Sequence, residues 1–227
     1  SSAHDIMTGA GLTKYFPTTG GRPEIGPYPQ WTSLYLCNMD YRLAQVTTGY
    51  GYLSGTIPMH FREADEARSF YGHPISVDDR PTIWTSQIDV DYIQQSIDPA
   101  DRFPPAIGDL TTDGWVVDLA HQPSLAYVPY LMTGDLYYLE EMQFWACFDL
   151  GASSAGYRGG TQCWLIDQIR GNAWAFRNVI DAAVMTPDTM PEKAYFNAKI
   201  TNNIARWNGM FIGSEGPTIR TYRGNTH

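Results

Sequence analysis

The sequence has few cysteines and few charged residues for its length. Charged residues make up only 17% of the 227 positions, and the three cysteines, Cys37, Cys147 and Cys163, stand far apart. So low a charge content argues against a disordered chain. Three scattered thiols argue against a disulfide framework or a zinc site, although one disulfide with a leftover thiol is left open. Cys37 and Cys147 fall inside helical patterns and are expected to be buried.

Long apolar runs and the common catalytic signatures are also missing. No apolar segment approaches the roughly 20 residues that a membrane span requires, so we predict none. The sequence has no G-x-S-x-G, H-E-x-x-H or C-x-x-C motif, and GYGYLSG lacks the Lys-Ser/Thr ending of a phosphate loop. The aspartates at 78–79 and 89–91 lack the spacing of an EF-hand loop. We therefore predict no cofactor and no metal.

Positive charge is scarce as well. The formal net charge is −9 at pH 7, which argues against nucleic acid as a partner, because a phosphate backbone requires a basic face. A local cluster of arginines would still allow an anionic polysaccharide to bind. The chain starts with SSAHD, without Met or a signal-like segment, so we expect a piece of a longer protein.

Aromatic residues and helical patterns are abundant instead. Aromatics reach 14% of the chain, with 7 Trp and 15 Tyr. Residues 1–30 are rich in Gly and Pro and predict an irregular arm. From residue 31 to residue 53 apolar side chains recur at spacings of three and four, which predicts one helix, and 57–70 is a short candidate helix. Residues 73–117 predict a long loop, either a cleft wall or a surface excursion.

The most informative segment runs from residue 118 to residue 208 and predicts two pairs of helices. The first helix, HQPSLAYVPYLM, ends at a turn in which Gly134 takes a left-handed conformation and Asp135 caps the return helix. In the second pair Asp167 caps a helix and Pro191 starts the next. Two apolar stripes are expected to be buried: Leu136, Leu139, Met142, Trp145 and Phe148 in the return helix, and Ile169, Ala173, Phe176, Ile180 and Val184 in the third. We predict a mainly α domain of antiparallel helical hairpins over residues 31–227.

The order of these helices predicts that polar side chains with possible catalytic roles lie at one end of the helical domain. The helices that begin near His121 and Gln168 are separated by one return helix, so they should run parallel and start at the same end. The loop over 151–166 and the tail after residue 208 should lie there too. The polar side chains expected at this rim are His121, Tyr157, Arg158, Arg170, Arg220 and Arg223.

The phrase HQPSLAYVPYLMTGDLYYLEEMQFWA, followed by QIRGNAWAFRNVIDAA and a further helix pair, resembles the α/α-toroid proteins. These include six-hairpin glycosidases and the toroid domains of heparinase- and alginate-lyase-like polysaccharide lyases. The resemblance covers about residues 118–208 and rests on architecture more than on an invariant motif. It implies hairpins around a cleft that binds a polysaccharide or oligosaccharide. A full toroid needs more hairpins than the chain offers, which favours a fragment or an incomplete ring.

The resemblance also implies roles in β-elimination on an acidic polysaccharide. His121 would be the base or charge neutraliser, Tyr127 or Tyr157 the proton shuttle, and Arg170 the carboxylate clamp. Asp118, three positions before His121, would fix its tautomer. The alternatives are purely structural roles: His121 only caps its helix, and Arg170 pairs with an internal carboxylate. The side chains expected to contact substrate are Trp115, Arg158, Trp164 and Trp174.

Two other function classes are left open. A glycoside hydrolase would need two carboxylates across the cleft, and the candidates are Asp118, Glu140, Glu141 and Asp167. The pattern favours a helix cap for Asp167 and a solvated face for the two glutamates. The third class is a non-catalytic structural or binding module that assembles with further domains or copies of itself. We favour an extracellular or periplasmic location.

Overall fold

A computed structural model of the chain describes residues 11–18, 21–88, 90–103 and 114–212. Within these ranges the chain forms seven α-helices and no β-strand, which confirms the predicted mainly α class. The helices are α1 (Gln30–Asn38), α2 (Tyr41–Leu53), α3 (Asp91–Gln94), α4 (Tyr127–Thr133), α5 (Leu136–Gly151), α6 (Ile169–Met185) and α7 (Pro191–Phe211). None of the described helices is long and apolar enough to cross a bilayer.

Helix α5 is the centre of the structure. It contacts α4, α6 and α7, and 13 of its 16 residues are buried. A helix that is buried on nearly every side needs no single apolar stripe, so the predicted stripe was too narrow. Its first member, Leu136, is 59% exposed. The turn before α5 is as predicted, because Gly134 has a φ of 68° and Asp135 accepts the Tyr137 N–H at 3.0 Å.

Helix α6 packs on α5 through small side chains. The buried apolar residues of α6 are Ala175, Val179, Ala182 and Ala183, each at most 2% exposed. Small residues on this face complement the bulky aromatics of α5 in a close-packed interior. The predicted buried face of α6 was therefore wrong. Ile169 is 63% exposed and Val184 is 60% exposed.

The helix predicted over residues 31–53 is two helices. Met39 adopts a left-handed conformation with a φ of 51°, which ends α1. Asp40 then starts α2 by accepting the Arg42 N–H at 2.8 Å. An apolar spacing of three and four continues across such a break, so the spacing alone did not reveal it.

The short helix predicted over 57–70 is absent, because this segment pairs with the chain that follows it. The Glu63 N–H donates to the His73 carbonyl at 2.9 Å, and the Gly72 N–H donates to the Glu63 carbonyl at 2.8 Å. Within the predicted long loop, residues 85–87 form a 3-10 turn and α3 follows. The parts of this loop that the structure describes thus include short helical turns.

The three thiols are free. Cys147 and Cys163 are buried, whereas Cys37 is exposed on α1, contrary to the prediction. Burial raises the pKa of the Cys163 thiol to about 11. Helix α1 has only one buried residue, Thr32, so a position within its helical pattern did not ensure burial.

Candidate functional site

The segment over residues 118–126 lies along one face of α6. It is not helical, since α4 begins only at Tyr127, and the predicted helix start at His121 was therefore wrong. Pro123 lacks an N–H and restricts the residue before it, which disfavours a helix here. His121 contacts Arg170 near the start of α6, and the Gln122 carbonyl accepts from Arg177 at 3.2 Å, two turns later. The segment and α6 therefore run in the same direction.

Three side chains form a hydrogen-bonded chain at the start of α6. The Asp118 carboxylate lies 3.0 Å from Nδ1 of His121 and also accepts the His121 backbone N–H at 3.0 Å. Arg170 Nη2 donates to Nε2 of His121 at 2.7 Å. Because a guanidinium cannot accept a hydrogen bond, Nε2 must carry the lone pair, and Nδ1 carries the proton that it donates to Asp118. The contacts therefore fix the tautomer of His121.

This chain of contacts runs from the interior to the surface. His121 is 4% exposed, whereas Arg170 is an exposed residue of the first turn of α6. The predicted proximity of His121 and Arg170 is thus found, although the local structure around His121 differs from the expected helix. The lone pair of a buried imidazole is held by a guanidinium that solvent can reach.

Asp167 adds a second carboxyl group to this cluster. Burial raises its pKa, and the negative charge of Asp118 raises it further, while His121 and Arg170 act in the opposite direction. Asp167 is not the helix cap that was predicted. The N-cap residue of α6 is Gln168. The backbone N–H of Gln168 donates a hydrogen bond to the Asp167 carboxyl group at 2.7 Å. The cluster therefore contains two carboxyl groups, of which Asp118 is hydrogen-bonded to the imidazole of His121.

A second polar group is buried further along α6. Asp149 of α5 is 3% exposed and accepts hydrogen bonds from the side-chain amides of Gln122 and Asn178. Burial raises the pKa of Asp149 to about 7. It also raises the pKa of Asp181, one turn beyond Asn178, to about 6. Both carboxyl groups thus gain a proton more readily than ordinary aspartates do.

Arg177 links this second group to the N-terminal arm. Its guanidinium donates to the Gly26 carbonyl at 2.8 Å and to the Gln122 carbonyl at 3.2 Å. Burial lowers the pKa of Arg177 to about 10, although the nearby charges of Asp181 and Asp149 oppose that shift. The arm is therefore tied to α6 and to the 118–126 segment by one cation.

The predicted site residues did not include Asp149, Arg177, Asn178 or Asp181. The sequence did contain one indication of this group. Asp149 is the only charged residue in the otherwise apolar run FWACFDL, which lies in the predicted return helix. A polar residue in such a position requires buried partners. Those partners are Gln122, in the 118–126 segment, and Asn178, in α6. Both lie far from Asp149 in the sequence, so their identity was not visible in the local pattern.

Arg158 and Tyr127, two predicted site residues, both contact other parts of the protein. Arg158 is fully buried, and its guanidinium donates to the carbonyls of Ser153, Ile83 and Pro81, the last two at 2.7 Å. It therefore holds loops together and is not available to substrate, which corrects the prediction. Tyr127 stacks on Tyr28 with ring centroids 6.1 Å apart, and its pKa is raised by burial and then by Asp181.

The three predicted tryptophans are partly buried. Trp164 lies beneath the Arg206 guanidinium at 5.0 Å, and Trp174 lies beneath that of Arg177 at 4.9 Å. Trp115 packs edge-on against Phe16 at 6.3 Å. Tyr157, in the loop after α5, is 51% exposed. Arg220 and Arg223 lie outside the described residues.

The two glutamates of α5 contact the segment around residues 54–62. Glu141 is only 3% exposed, lies 2.9 Å from His60 and accepts from Ser54 at 2.9 Å. Its expected place on a solvated face was therefore wrong. Glu140 pairs with Arg62 at 3.1 Å on the surface.

No family model, curated protein or solved structure matches this chain. Among the residues that the structure describes, no group of three or more His, Cys, Asp or Glu side chains is arranged to hold a metal ion. We therefore infer function from the side chains around His121.

Proposed function

We propose that this chain acts on an acidic polysaccharide by β-elimination, with His121 as the base and Arg170 as the anion clamp. The supporting observation is the Asp118–His121–Arg170 chain of hydrogen bonds. A uronate carboxylate can take two hydrogen bonds from one guanidinium, which is a stronger interaction than a single bond to a neutral imidazole. When Arg170 turns to such a carboxylate, Nε2 of His121 loses its donor and becomes available as a base.

The proposed step breaks one C–H bond and one C–O bond of the substrate and forms one carbon–carbon double bond. His121 gains the proton that the substrate loses, Tyr157 supplies the proton that the leaving oxygen gains, and exchange with solvent then returns a proton to Tyr157 and removes one from His121. Nε2 takes the proton from the carbon beside the uronate carboxylate, and the electron pair of that C–H bond forms a carbon–carbon double bond. The neighbouring bond to the glycosidic oxygen breaks, and this oxygen leaves with a proton. Tyr157 is the proposed donor, because it is half exposed in the loop after α5, whereas Tyr127 is stacked on Tyr28. The imidazolium that forms is stabilised by Asp118.

The arrangement of helices is compatible with this proposal. Helix α4 contacts α5, and α6 contacts α7, so two helical hairpins stand side by side. We propose that they are part of an α/α toroid. A substrate of this kind also favours an extracellular or periplasmic location.

The test is a panel of acidic polysaccharides followed by the ultraviolet absorbance of unsaturated uronates. His121→Gln should lower the rate by at least about 100-fold, the usual loss when a general base is removed. Arg170→Gln should raise KM and lower kcat. Arg62→Gln is the matched control, because Arg62 pairs with Glu140 on the surface, and it should keep the full rate. The proposal fails if no polysaccharide gives the absorbance, or if His121→Gln is fully active.

Glycoside hydrolysis is the second candidate function. The observation that favours it is the carboxyl group of Asp167, whose pKa is raised by burial and by the charge of Asp118, since a carboxyl group with a raised pKa can act as a general acid. Incubation with the same polysaccharides would then release reducing ends without the ultraviolet absorbance of unsaturated uronates. Asp167→Asn would abolish the release of reducing ends. If neither product appears with any substrate, a non-catalytic module is the surviving class.

A further inference from the structure

Helices α1 and α2 form a hairpin that leaves most of its surface exposed. The hairpin is anchored to the rest of the chain near residues 48–53, where the Tyr138 hydroxyl donates to the Thr48 carbonyl at 3.1 Å. At the same end Trp31 stacks on Tyr50, with ring centroids 4.1 Å apart. Beyond these contacts little of the hairpin is covered. Helix α1 has one buried residue and α2 has three, and every residue from 36 to 39 is exposed.

Large apolar side chains lie on the exposed part of this hairpin. Six of them are between 39% and 71% exposed: Leu34, Leu36, Met39, Tyr41, Val46 and Tyr52. A single exposed apolar side chain is ordinary, whereas a group of them on two adjacent helices marks an interaction surface. The hairpin therefore has the composition of a protein–protein contact.

The hairpin carries no net charge in a chain whose net charge is −9. The charged side chains between residues 30 and 53 are Asp40 and Arg42, whose carboxylate and guanidinium lie 2.6 Å apart. In a two-fold contact the same surface meets itself, so a surface of one sign would repel its copy. A surface with one charge of each sign does not, because the aspartate of one protomer can pair with the arginine of its partner. The hairpin is therefore complementary in charge to a second copy of the chain.

The hairpin also has the size that a dimer interface needs. Helix α1 has 9 residues and α2 has 13, and a standard interface takes roughly 20–30 residues from each partner. Two helical hairpins that pack on each other form a four-helix bundle, in which the apolar side chains of all four helices share one core. Such a core would cover the apolar side chains that the single chain leaves exposed.

We propose that the α1–α2 hairpin is the interface of a two-fold homodimer. Leu34 and Leu36 of α1 and Val46 of α2 pack against the same hairpin of the partner, while Asp40 and Arg42 exchange partners across the two-fold axis. This interface does not depend on the reaction proposed at His121. A chain without lyase activity would still dimerise.

Sedimentation velocity of the full chain over a wide range of concentrations tests the interface. We expect an equilibrium between monomer and dimer. A reducing agent is present throughout, so that the exposed thiol of Cys37 does not form a disulfide that would imitate the dimer. Leu36→Glu should weaken dimerisation by about tenfold or more, because each protomer then buries an unpaired charge in an apolar contact.

Two further glutamate variants separate the interface from a general effect on folding. Tyr41→Glu places a carboxylate in the first turn of α2, where it stabilises a helix, so the hairpin should fold and dimerisation should weaken as it does with Leu36→Glu. Val184→Glu is the matched control, because Val184 is a 60% exposed residue of α6 outside the hairpin, and it should leave dimerisation unchanged.

Three results would overturn the proposal. The first is a chain that stays monomeric at every concentration. The second is an equal effect of Leu36→Glu and Val184→Glu on dimerisation. The third is an assembly that grows beyond two copies as concentration rises, because a two-fold contact closes at the dimer.

Discussion

At the scale of single residues, buried charges in this protein have specific partners. Glu63, 2% exposed, accepts two hydrogen bonds from Arg80, from Nε at 2.6 Å and from Nη2 at 2.7 Å. These hydrogen bonds lower the pKa of the Glu63 carboxyl group despite its burial. Arg80 also donates to the Ala100 carbonyl at 3.0 Å. One guanidinium thus joins the segment around residue 63 to the chain around residue 100.

Removing this guanidinium should be costly. Arg80→Ala leaves the Glu63 carboxylate buried without its cation, which typically lowers the free energy of unfolding by about 3–5 kcal/mol. Urea unfolding measures this loss. Arg62→Ala breaks the exposed pair with Glu140. This variant should lower the free energy of unfolding by no more than about 1 kcal/mol. Equal effects of the two variants would contradict the role assigned to Arg80.

The cluster at His121 belongs to the same scale. The order of the helices in the sequence indicated that His121 and Arg170 would be close, and their side chains do meet. Arg158, in contrast, was expected at a solvent-open rim but is enclosed by three carbonyl groups. Nothing in the local sequence GYRGG distinguishes a guanidinium that faces solvent from one that satisfies backbone carbonyls of distant segments.

At the scale of secondary structure, two glycines of α2 have opposite environments. A Cβ atom on Gly51 would lie 2.7 Å from Cε1 of Tyr138 and 2.9 Å from Cγ of Pro129. A Cβ atom on Gly49 would meet nothing within 4 Å. Helix α2 therefore packs closely against α4 and α5 at one glycine and is open at the other.

Alanine substitutions at these positions should have opposite signs. Gly51→Ala should lower the free energy of unfolding by about 1–3 kcal/mol, because the added methyl group overpacks the contact. Gly49→Ala should raise it by about 0.5–1 kcal/mol, because alanine favours the helix. Chemical denaturation of the two single variants compares them in the same helix. If both substitutions are stabilising, the close contact at Gly51 is not present in solution.

At the scale of the whole molecule, the central helix α5 carries an acid that the fold keeps from water. The folded chain raises the pKa of Asp149 to about 7. Between about pH 4 and pH 7 the folded chain therefore binds more protons than the unfolded chain, and this group makes stability fall as pH rises. Asp181, with a pKa raised to about 6, acts in the same direction over a narrower range.

Asp149→Asn should flatten this dependence. The asparagine keeps the shape of the side chain and has no charge to bury, so the fall in stability between about pH 4 and pH 7 should shrink by up to about 4 kcal/mol. Urea unfolding at several pH values gives the slope of the free energy of unfolding against pH. Asp188→Asn removes a charge from an aspartate whose side chain is 92% exposed and should leave the slope as it is. Identical slopes for the wild type and Asp149→Asn would contradict the assignment.

The sequence by itself determined the mainly helical class and several helix ends. Gly134, Asp135 and Pro191 act through the backbone within a few residues, so their positions were readable locally. The tertiary structure decided which side of α6 is buried and which polar residues lie inside. Ile169 faces solvent and Asp149 faces the interior because distant segments supply, or fail to supply, their neighbours. Burial depends on contacts between helices, and a local pattern does not contain those contacts.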